Sequence, residues 1–579
     1  MRGALGLICA TAAGFYLAFS INSLHQVGNQ RVFALFDDAM ISMRYARNLA
    51  EGHGLVWYAG AEPIEGYTNF LWTIWMAFLH LLLPDRLVGT GVVFSGALLL
   101  IVGIWLSYTL ARKLAPQSTV APLAAAFLTA ICYPLAFWTL RGLEVGLVSV
   151  IFTCALVIAC DAFHEPSKRR LLGLGIVFSL GLLTRPDTVV VAITTFSVLM
   201  LVGSNAQRRA TGLYGIGPLV ITGLLLCLFR LTYYDALLPN TYALKVEGFS
   251  LYRRVRRGLL SVGELTSKGG YGVIAAFGVV GLLRGLRHRR PQHLLVVTTI
   301  VGVFAYSIYV GGDAWEEFKF ANRYTSAVLP ALFALSGAGL ATVYEHWNMR
   351  ERKSWTIPMT VVAITCSTLV LATLTLPRMD ALKVVPNTFS KFLLVGALSV
   401  VVPVLVCAVI RVRGVALTAA VVMTTVGLAM AVNGREFSTW HDSKIARGSD
   451  DYKWANYGNA LRQYTTPKAS ILVTSAGNIS YFLDHKQPVV DGLGKMDPVI
   501  AHHIPRRPDF PPGHQKWDYY RSIGELRPDV ISQLFAATDD DIRMILSAGY
   551  EPIGDAFVRR DSEEVNRDGL REWLAAHPH

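Results

Sequence analysis

The sequence predicts a polytopic α-helical membrane protein that carries a soluble α/β domain at its C-terminal end. Three observations predict it. Of 579 residues, 53% are hydrophobic and 16% charged, where a soluble chain carries about 25% charged residues. Apolar runs recur at close to the ~20 residues that cross a bilayer. From about residue 433 the pattern turns polar and mixed. We therefore divide the chain into a membrane domain, 1–432, and an extracytoplasmic α/β domain, 433–579. The membrane domain holds a first outer loop at 22–83.

The first apolar segment, 2–21, reads as an uncleaved anchor, because no small-x-small cleavage site precedes a polar stretch. Further apolar blocks follow at 69–83, 89–110, 120–138, 145–163, 171–183, 188–203, 212–231, 269–283, 294–310, 325–343, 357–376, 392–410 and 415–432. If all fourteen crossed, with the N-terminus inside, Lys168–Arg170, Arg208–Arg209 and the basic runs at 284–290, 350–353 and 411–413 would lie outside. That breaks the positive-inside rule at nearly every loop. If block 69–83, short and rich in Trp72, Trp75 and His80, lies in the interface or re-enters, each of those clusters moves inside. About thirteen transmembrane helices remain. The loops at 141–146, 184–187, 233–245 and 311–324 then share the outer side with the C-terminal domain. The run RRVRR at 253–257 stays outside, which an amphipathic segment resting on lipid phosphates accounts for. In the tail, ILVTSAG reads as a buried strand ending in a glycine turn, YFLDHKQPVVDGLG as a helix or turn followed by a second strand, RPDVISQL as a further strand, and DDDIRMILSAGYEPI as a helix running into a turn.

The net charge of +13 does not indicate nucleic acid, since many basic residues cap apolar segments. The cysteines (Cys9, Cys132, Cys154, Cys160, Cys227, Cys366 and Cys407) lie in or beside apolar runs, so neither a disulfide framework nor a cysteine metal site is expected. There is no Walker-type phosphate loop and no dinucleotide fingerprint. Energy would come from an activated substrate.

Candidate chemistry concentrates in FALFDDAMISMRYARNLAEGHGLVWYAGAEPIEGYTNFLW, beginning at Phe33. Here Asp37 and Asp38 precede Arg44, Tyr45, Arg47 and Asn48. On a helix, Asp37, Arg44 and Asn48 share a face, with Asp38 and Tyr45 on the neighbouring stripe. A carboxylate near a guanidinium suits a sugar hydroxyl that must lose its proton beside a phosphate. The outer loops add Glu144 after Arg141, Arg185 and Asp187 around Pro186, Asn240 and Lys245 in LPNTYALK, and Asp313 with Arg323. Arg44, Lys245, Arg323 and Arg185 form a basic set for a lipid-linked phosphate. Asp37, Asp38, Glu144 and Asp313 form an acidic set for sugar hydroxyls. Asp491 and His514 are candidate acceptor contacts in the tail. His502–His503 with Asp491, Asp497 and His514 fit no recognised metal spacing, and Asn478-Ile479-Ser480 reads as a chance glycosylation match. No metal or other cofactor is required, and a divalent cation is left open.

In order along the chain, the acidic pair, RYARNLAEGHGLVW, EGYTNFLW, RGLE, TRPD, YYDALLPNTYALK, GGD with Arg323, and DGLGKMDPVIAHH with GHQKW resemble the GT-C glycosyltransferases. They most resemble the branch that includes the mycobacterial terminal arabinofuranosyltransferase of arabinogalactan, although RGLEVG and the short tail depart from its pattern. The resemblance implies a GT-C fold in the cytoplasmic membrane with an outward-facing site. It implies transfer of a sugar, D-arabinofuranose as first choice, from a polyprenyl (decaprenyl) phosphate to a cell-envelope glycan such as arabinogalactan or lipoarabinomannan. It makes Asp37 and Asp38 the catalytic pair, and puts Glu144, Lys245, Asp313 and Arg323 in the pocket. The expected partners are that donor, the glycan and membrane lipid, with the chain a monomer. Another sugar (mannose or a different pentose), a protein acceptor, or a lipid-sugar flippase are the alternatives.

Overall fold

The computed structural model describes residues 2–164, 167–267, 270–314, 321–348, 449–508 and 510–577. The blocks expected at 357–376, 392–410 and 415–432 and the boundary at 432/433 lie outside the described residues. Five described helices are long and apolar enough to cross a membrane: Arg2–Ile21, Asp85–Leu114, Val145–Phe163, Asn205–Tyr233 and Pro291–Val310. On them Leu98, Trp105, Leu224, Leu228 and Val301 are left uncovered by protein, which suits lipid.

The expected span 120–138 is broken. Val120–Ala130 and Tyr133–Leu140 meet at 46°. Pro134 is the cause, since it has no N–H to give the carbonyl of Ala130 and its ring crowds that carbonyl. Block 69–83 becomes Phe70–Leu82, of 13 residues, about 20 Å long against a ~30 Å hydrocarbon core. It falls among the shorter apolar helices and not among the five candidates for crossing. Helices Tyr271–Arg287 and Leu329–Asn348 pack backbone to backbone. A Cβ on Gly339 would lie 1.8 Å from the Phe277 oxygen, and one on Gly281 2.4 Å from the Leu335 oxygen, so small residues set the approach.

The two ends of the helical region differ in kind. At one, Lys113 pairs with Asp161, Gln207 Nε2 donates to the Ala162 oxygen at 3.2 Å and Arg290 to the Leu114 oxygen at 3.4 Å. Basic anchors gather there. At the other, Arg185 meets Glu144 at 3.1 Å and Arg323 meets Asp38 at 2.8 Å. The amphipathic helix Leu251–Ser267 turns part of the RRVRR run inward: Arg254 donates to the Tyr309 oxygen at 3.3 Å and Arg257 to the Asp313 oxygen at 2.6 Å. Arg253 and Arg256 are exposed.

A short hairpin, β1 (His25–Val27) and β2 (Gln30–Val32), leaves the first helix and packs on the C-terminal helix Ser449–Tyr464 through Val27, Val32, Tyr452 and Ala455. The α/β region holds a five-stranded sheet of β3 (Ile471–Val473), β4 (Val489–Asp491), β5 (Val530–Ile531), β6 (Tyr550–Ile553) and β7 (Ala556–Arg559), in the order β4-β3-β5-β7-β6. β3, β4 and β5 run parallel, and β7 and β6 are antiparallel additions. Alternation sorts its residues. Ile471, Val473, Val530 and Val558 join one core; Leu472 and Ile531 join another with Trp517, Tyr519 and Ile545. Both faces are therefore covered.

The first of these cores also takes in Ile41, Tyr45, Leu55, Trp57 and Tyr67. The outer loop and the α/β region thus fold around shared apolar side chains. At their closest approach a Cβ on Gly477 would lie 1.7 Å from the Asp37 oxygen. Gly477→Ala should therefore lower stability by about 1–3 kcal/mol, the usual range for overpacking, and expose the C-terminal region to protease. Thermal unfolding in detergent and limited proteolysis check this; wild-type behaviour in both would refute the contact.

Candidate active site

The acidic helix runs Asp37–Ala50, starting from an extended Phe36. Consecutive residues on a helix point about 100° apart, so the two acids face different surroundings. Asp37 turns to the C-terminal region and accepts from the backbone N–H groups of Gly477 (3.2 Å) and Asn478 (2.8 Å). Asp38 turns to a polar cleft, where it accepts from Lys495 Nζ at 2.7 Å and Arg323 Nη1 at 2.8 Å.

Arg323 is the hub of this cleft. Its Nε and Nη2 grip the Asp313 carboxylate at 2.8 and 2.7 Å, and its backbone N–H adds a bond at 3.1 Å. Gly311 and Gly312, at φ +90° and +78°, make the turn that presents Asp313; a side chain there would be strained. Beside this cluster Glu144 accepts from Arg185 Nη1 (3.1 Å) and Asn69 Nδ2 (3.0 Å). Arg185 also pairs with Asp187 at 2.9 Å and lies 4.8 Å from the centre of the Tyr324 ring.

Lys245 comes from the short helix Asn240–Val246. The C-terminal region holds that helix: Asn240 Nδ2 donates to the Gly494 and Lys495 oxygens, both at 2.9 Å, and buried Lys516 donates to the Ala243 and Ala501 oxygens at 3.1 and 2.6 Å. No carboxylate among the described residues lies within 4 Å of the Lys245 ammonium.

Two adjoining cavities result. The smaller, about 70 Å³, is lined by Asp38, Ser42, Asn69, Lys245, Lys495 and His514, among others. The larger, about 310 Å³, is lined by Arg185, Asp187, Tyr242, Tyr306, Tyr309 and Tyr324. Glu144, Lys245 and Arg323 border both.

Burial would raise the Asp38 carboxyl, but Lys495, Arg323 and Lys245 outweigh it and hold the group well below the usual carboxylate range. Asp37 goes the other way. Its burial exceeds the help of Lys495 and the Asn478 and Gly477 amides, and its pKa is raised. Burial, with Arg323 close by, brings Lys245 down to about 8. Burial opposes charge on Lys495 too, but Asp38 and Asp37 prevail and raise it. Burial and Lys495 lower His514 to about 4, so it is neutral at pH 7.

Of the residues expected from the sequence, Asp38, Glu144, Lys245, Arg323 and His514 meet at the smaller cavity, and Arg185, Asp187 and Asp313 at the larger. Others are committed elsewhere. Arg44, expected to hold a phosphate, is fully buried and donates to the Trp57 and Gln487 oxygens. Tyr45 donates to the Ile64 oxygen at 2.7 Å. Asn240 is a docking residue, and Asp491 accepts from the Leu493 and Met496 N–H groups inside its own turn. Asp313, expected to meet sugar hydroxyls, is occupied in holding Arg323. His502 and His503 go apart, to Glu247 and Asp518, and Asn478 of the glycosylation match is buried.

Sequence reasoning missed Lys495, Asn69 and the buried Glu65–Arg230 pair, whose two bonds are both 2.8 Å. The signal for Lys495 is its place as the one cation in the glycine turn DGLGKMD, whose aspartates, Asp491 and Asp497, accept from nearby backbone amides.

Arg323→Ala would leave Asp313 and Asp38 short of a buried partner, and should cost about 3–5 kcal/mol. Asp38 and Asp313 are both held low, Asp313 against its burial by Arg323. Their stabilisation is thus in force at neutral pH and lost as pH falls from the ordinary carboxylate range through the lowered values. The variant should lose most of the Asp313 share of that acid-side dependence and keep the share that Lys495 gives Asp38. Thermal unfolding of both proteins from pH 7 to pH 3 checks it.

Residues 443–571 match a family model described as a domain of unknown function, DUF8728. No curated protein matches the chain. Among solved structures, the chain is similar to ArnT from Cupriavidus metallidurans in the apo state, at 16% identity over 85% of this chain and 86% of that one, with a TM-score of 0.47. The same protein bound to undecaprenyl phosphate matches at 15% identity, again over 85% and 86%, with a TM-score of 0.44. The oligosaccharyltransferase of Archaeoglobus fulgidus in the apo form matches at 12% identity over 84% of this chain and 64% of that one, with a TM-score of 0.43.

Proposed function

We propose that the chain is a GT-C membrane glycosyltransferase that moves a sugar from a polyprenyl phosphate to a cell-envelope glycan. One observation carries the reading: Asp38 faces a cleft ringed by Lys245, Lys495 and Arg323, with Glu144, held by Arg185, at its edge, where apolar helices meet the α/β region. A polyprenyl-phosphate sugar is a phosphodiester with one negative charge, and its leaving group, the free polyprenyl phosphate, carries up to two. Three cations (Lys245, Lys495, Arg323) against two carboxylates (Asp38, Asp313) leave one positive charge in excess. That excess meets the donor's charge and strengthens as the leaving group develops.

The chemistry is a displacement at the anomeric carbon. The acceptor hydroxyl forms the new C–O bond, the bond to the phosphate oxygen breaks with its electron pair, and the hydroxyl proton passes to Asp38. In the resting site Asp38 is a weak base, because its cations hold it ionised. A bound phosphate shares those cations, so its arrival raises the basicity of Asp38 when a base is needed. Asp37 positions this apparatus, pinning the acidic helix to the C-terminal region through Gly477 and Asn478. Glu144, Asp187, Asn69 and the tyrosines of the larger cavity supply acceptors and aromatic faces that suit sugar hydroxyls and rings. The choice of D-arabinofuranose rests on the sequence resemblance.

Asp38→Asn and Asp37→Asn, purified in detergent and supplied with polyprenyl-phosphoarabinose and an arabinan acceptor, test the roles. Release of polyprenyl phosphate should fall by about 10²–10⁴-fold in Asp38→Asn, the usual worth of a general base, and by less in Asp37→Asn. Full turnover in both would sink the mechanism. A panel of polyprenyl-phosphate sugars reads the donor, and turnover with mannose but not arabinose would replace the pentose.

The Lys245 value of about 8 supplies a second prediction. Phosphate recognition needs the ammonium form, so donor KM should rise above pH 8, by up to about tenfold per unit. In Lys245→Arg, whose charge does not titrate in this range, the rise should be absent. A KM–pH profile of the two proteins decides it.

A further inference from the structure

At the far end of the acidic helix, away from Asp38, a second cluster of donors converges. Glu51 caps the helix, His53 follows in the turn, and His485 comes from the loop that enters β4. Their ligand atoms all lie within 4.8 Å of one another. Glu51 Oε2 is 4.0 Å from His53 Nε2 and 3.6 Å from His485 Nε2. A zinc ion with bonds of about 2.0–2.1 Å sets neighbouring ligands about 3.3 Å apart in a tetrahedron, so a small turn of the imidazoles closes the distance. The two rings stand 5.6 Å apart and 22° from parallel.

The surroundings favour a built site over a chance meeting of surface groups. The backbone fixes both halves. His53 N–H donates to the Asn48 oxygen at 2.8 Å, and Ala59 N–H to the His485 oxygen at 3.1 Å. Gly52 and Gly54, at φ +83° and +86°, fold the turn that carries His53 back against the helix end. Two residues beyond His485, Arg44 grips the Gln487 oxygen at 3.2 Å. The second nitrogen of His485, Nδ1, faces Asp484 Oδ1 at 3.6 Å, a separation that the same small ring turn would close to the carboxylate–histidine contact that orients a metal-ligating imidazole.

We infer that Glu51, His53 and His485 bind a divalent first-row transition cation, which clamps the outer loop onto the C-terminal region. Two imidazoles and one carboxylate select zinc-class ions over calcium and magnesium, which prefer all-oxygen sets. Water would complete the coordination. The role is structural: the cation ties the turn after the acidic helix to the loop that Arg44 also holds.

The test uses full-length, tag-free protein in detergent, stripped with chelator and titrated with Co²⁺ and then Zn²⁺. Wild type should bind one equivalent of Co²⁺ with visible d–d absorption, lose it to Zn²⁺, and gain in thermal midpoint when Zn²⁺ is added. His53→Ala and His485→Ala should each weaken zinc at least tenfold and abolish that gain, while eluting and unfolding like metal-free wild type. Asp484→Asn, which keeps all three ligands, should weaken zinc by about 10–100-fold. The absence of a cobalt spectrum and of zinc retention in wild type would overturn the site, as would equal retention in wild type and both histidine variants. None of these readouts involves sugar transfer, so the site and the proposed reaction stand or fall separately.

Discussion

The structure depends on a buried chain of charge, Asp313–Arg323–Asp38–Lys495, with contacts of 2.7–2.8 Å at each link. Taking these groups out of water is costly, and the cost is recovered only where every charge finds a close, well-oriented partner. Arg323 manages this with its planar fork, two donors to one carboxylate and a third to another. Its four members come from three places: the acidic helix, the 311–324 loop and a turn near residue 495. Asp38 therefore reaches its final environment only when all three are assembled. Docking of the C-terminal region and completion of the cleft are one event.

The same event explains why two adjacent, chemically identical acids behave differently. Asp37 is enclosed by amides, and burial dominates; Asp38 is ringed by cations, and they dominate. The divergence follows from the helix itself, since a 100° step at a boundary between two bodies puts neighbours against different walls. One acid fastens the wall and the other faces the cleft. A DD pair at such a helix start is thus a division of labour rather than a doubled group.

That division marks the limit of what the sequence made legible. Periodicity correctly grouped Asp37 with Arg44 and Asn48, and all three turn to the side covered by the first outer loop and the C-terminal region. What periodicity cannot state is what covers that side. Arg44 therefore read as a free cation near an acid, when backbone oxygens of Trp57 and Gln487 enclose it. Lys495 failed to register for the converse reason. Asp491 and Asp497 flank it and read as its partners, whereas the partner it takes, Asp38, lies 457 residues away. Glu51, His53 and His485 were missed on the same ground. Charge asymmetry, in contrast, is a property of whole loops and needs no partner. It gathered Glu144, Arg185, Lys245, Asp313 and Arg323 on one side, and the structure brings them to one end. The kink at Pro134 was also readable, since a proline sat inside a block taken as one span.

The charge arithmetic of the two cavities carries the proposed reaction a step further. Ion pairing sorts the charges that line them into two groups: Lys245, Lys495 and Arg323 gather around Asp38 and Asp313, and Arg185 pairs with Glu144 and Asp187, while Arg230 of the larger cavity is taken up by Glu65. An anionic phosphate is drawn to the first group, and the second, with Tyr242, Tyr306, Tyr309 and Tyr324 beside it, offers acceptors and aromatic faces to a polyol. Glu144, Lys245 and Arg323 border both cavities, so a sugar phosphodiester that spans the seam has its scissile bond there. The field across the seam then pulls negative charge toward the phosphate as that bond breaks, which is the direction the displacement requires. Catalysis on this view needs no large movement of the residues that line the cleft. Their fixed separation of charge does the sorting before the reaction and the stabilising during it.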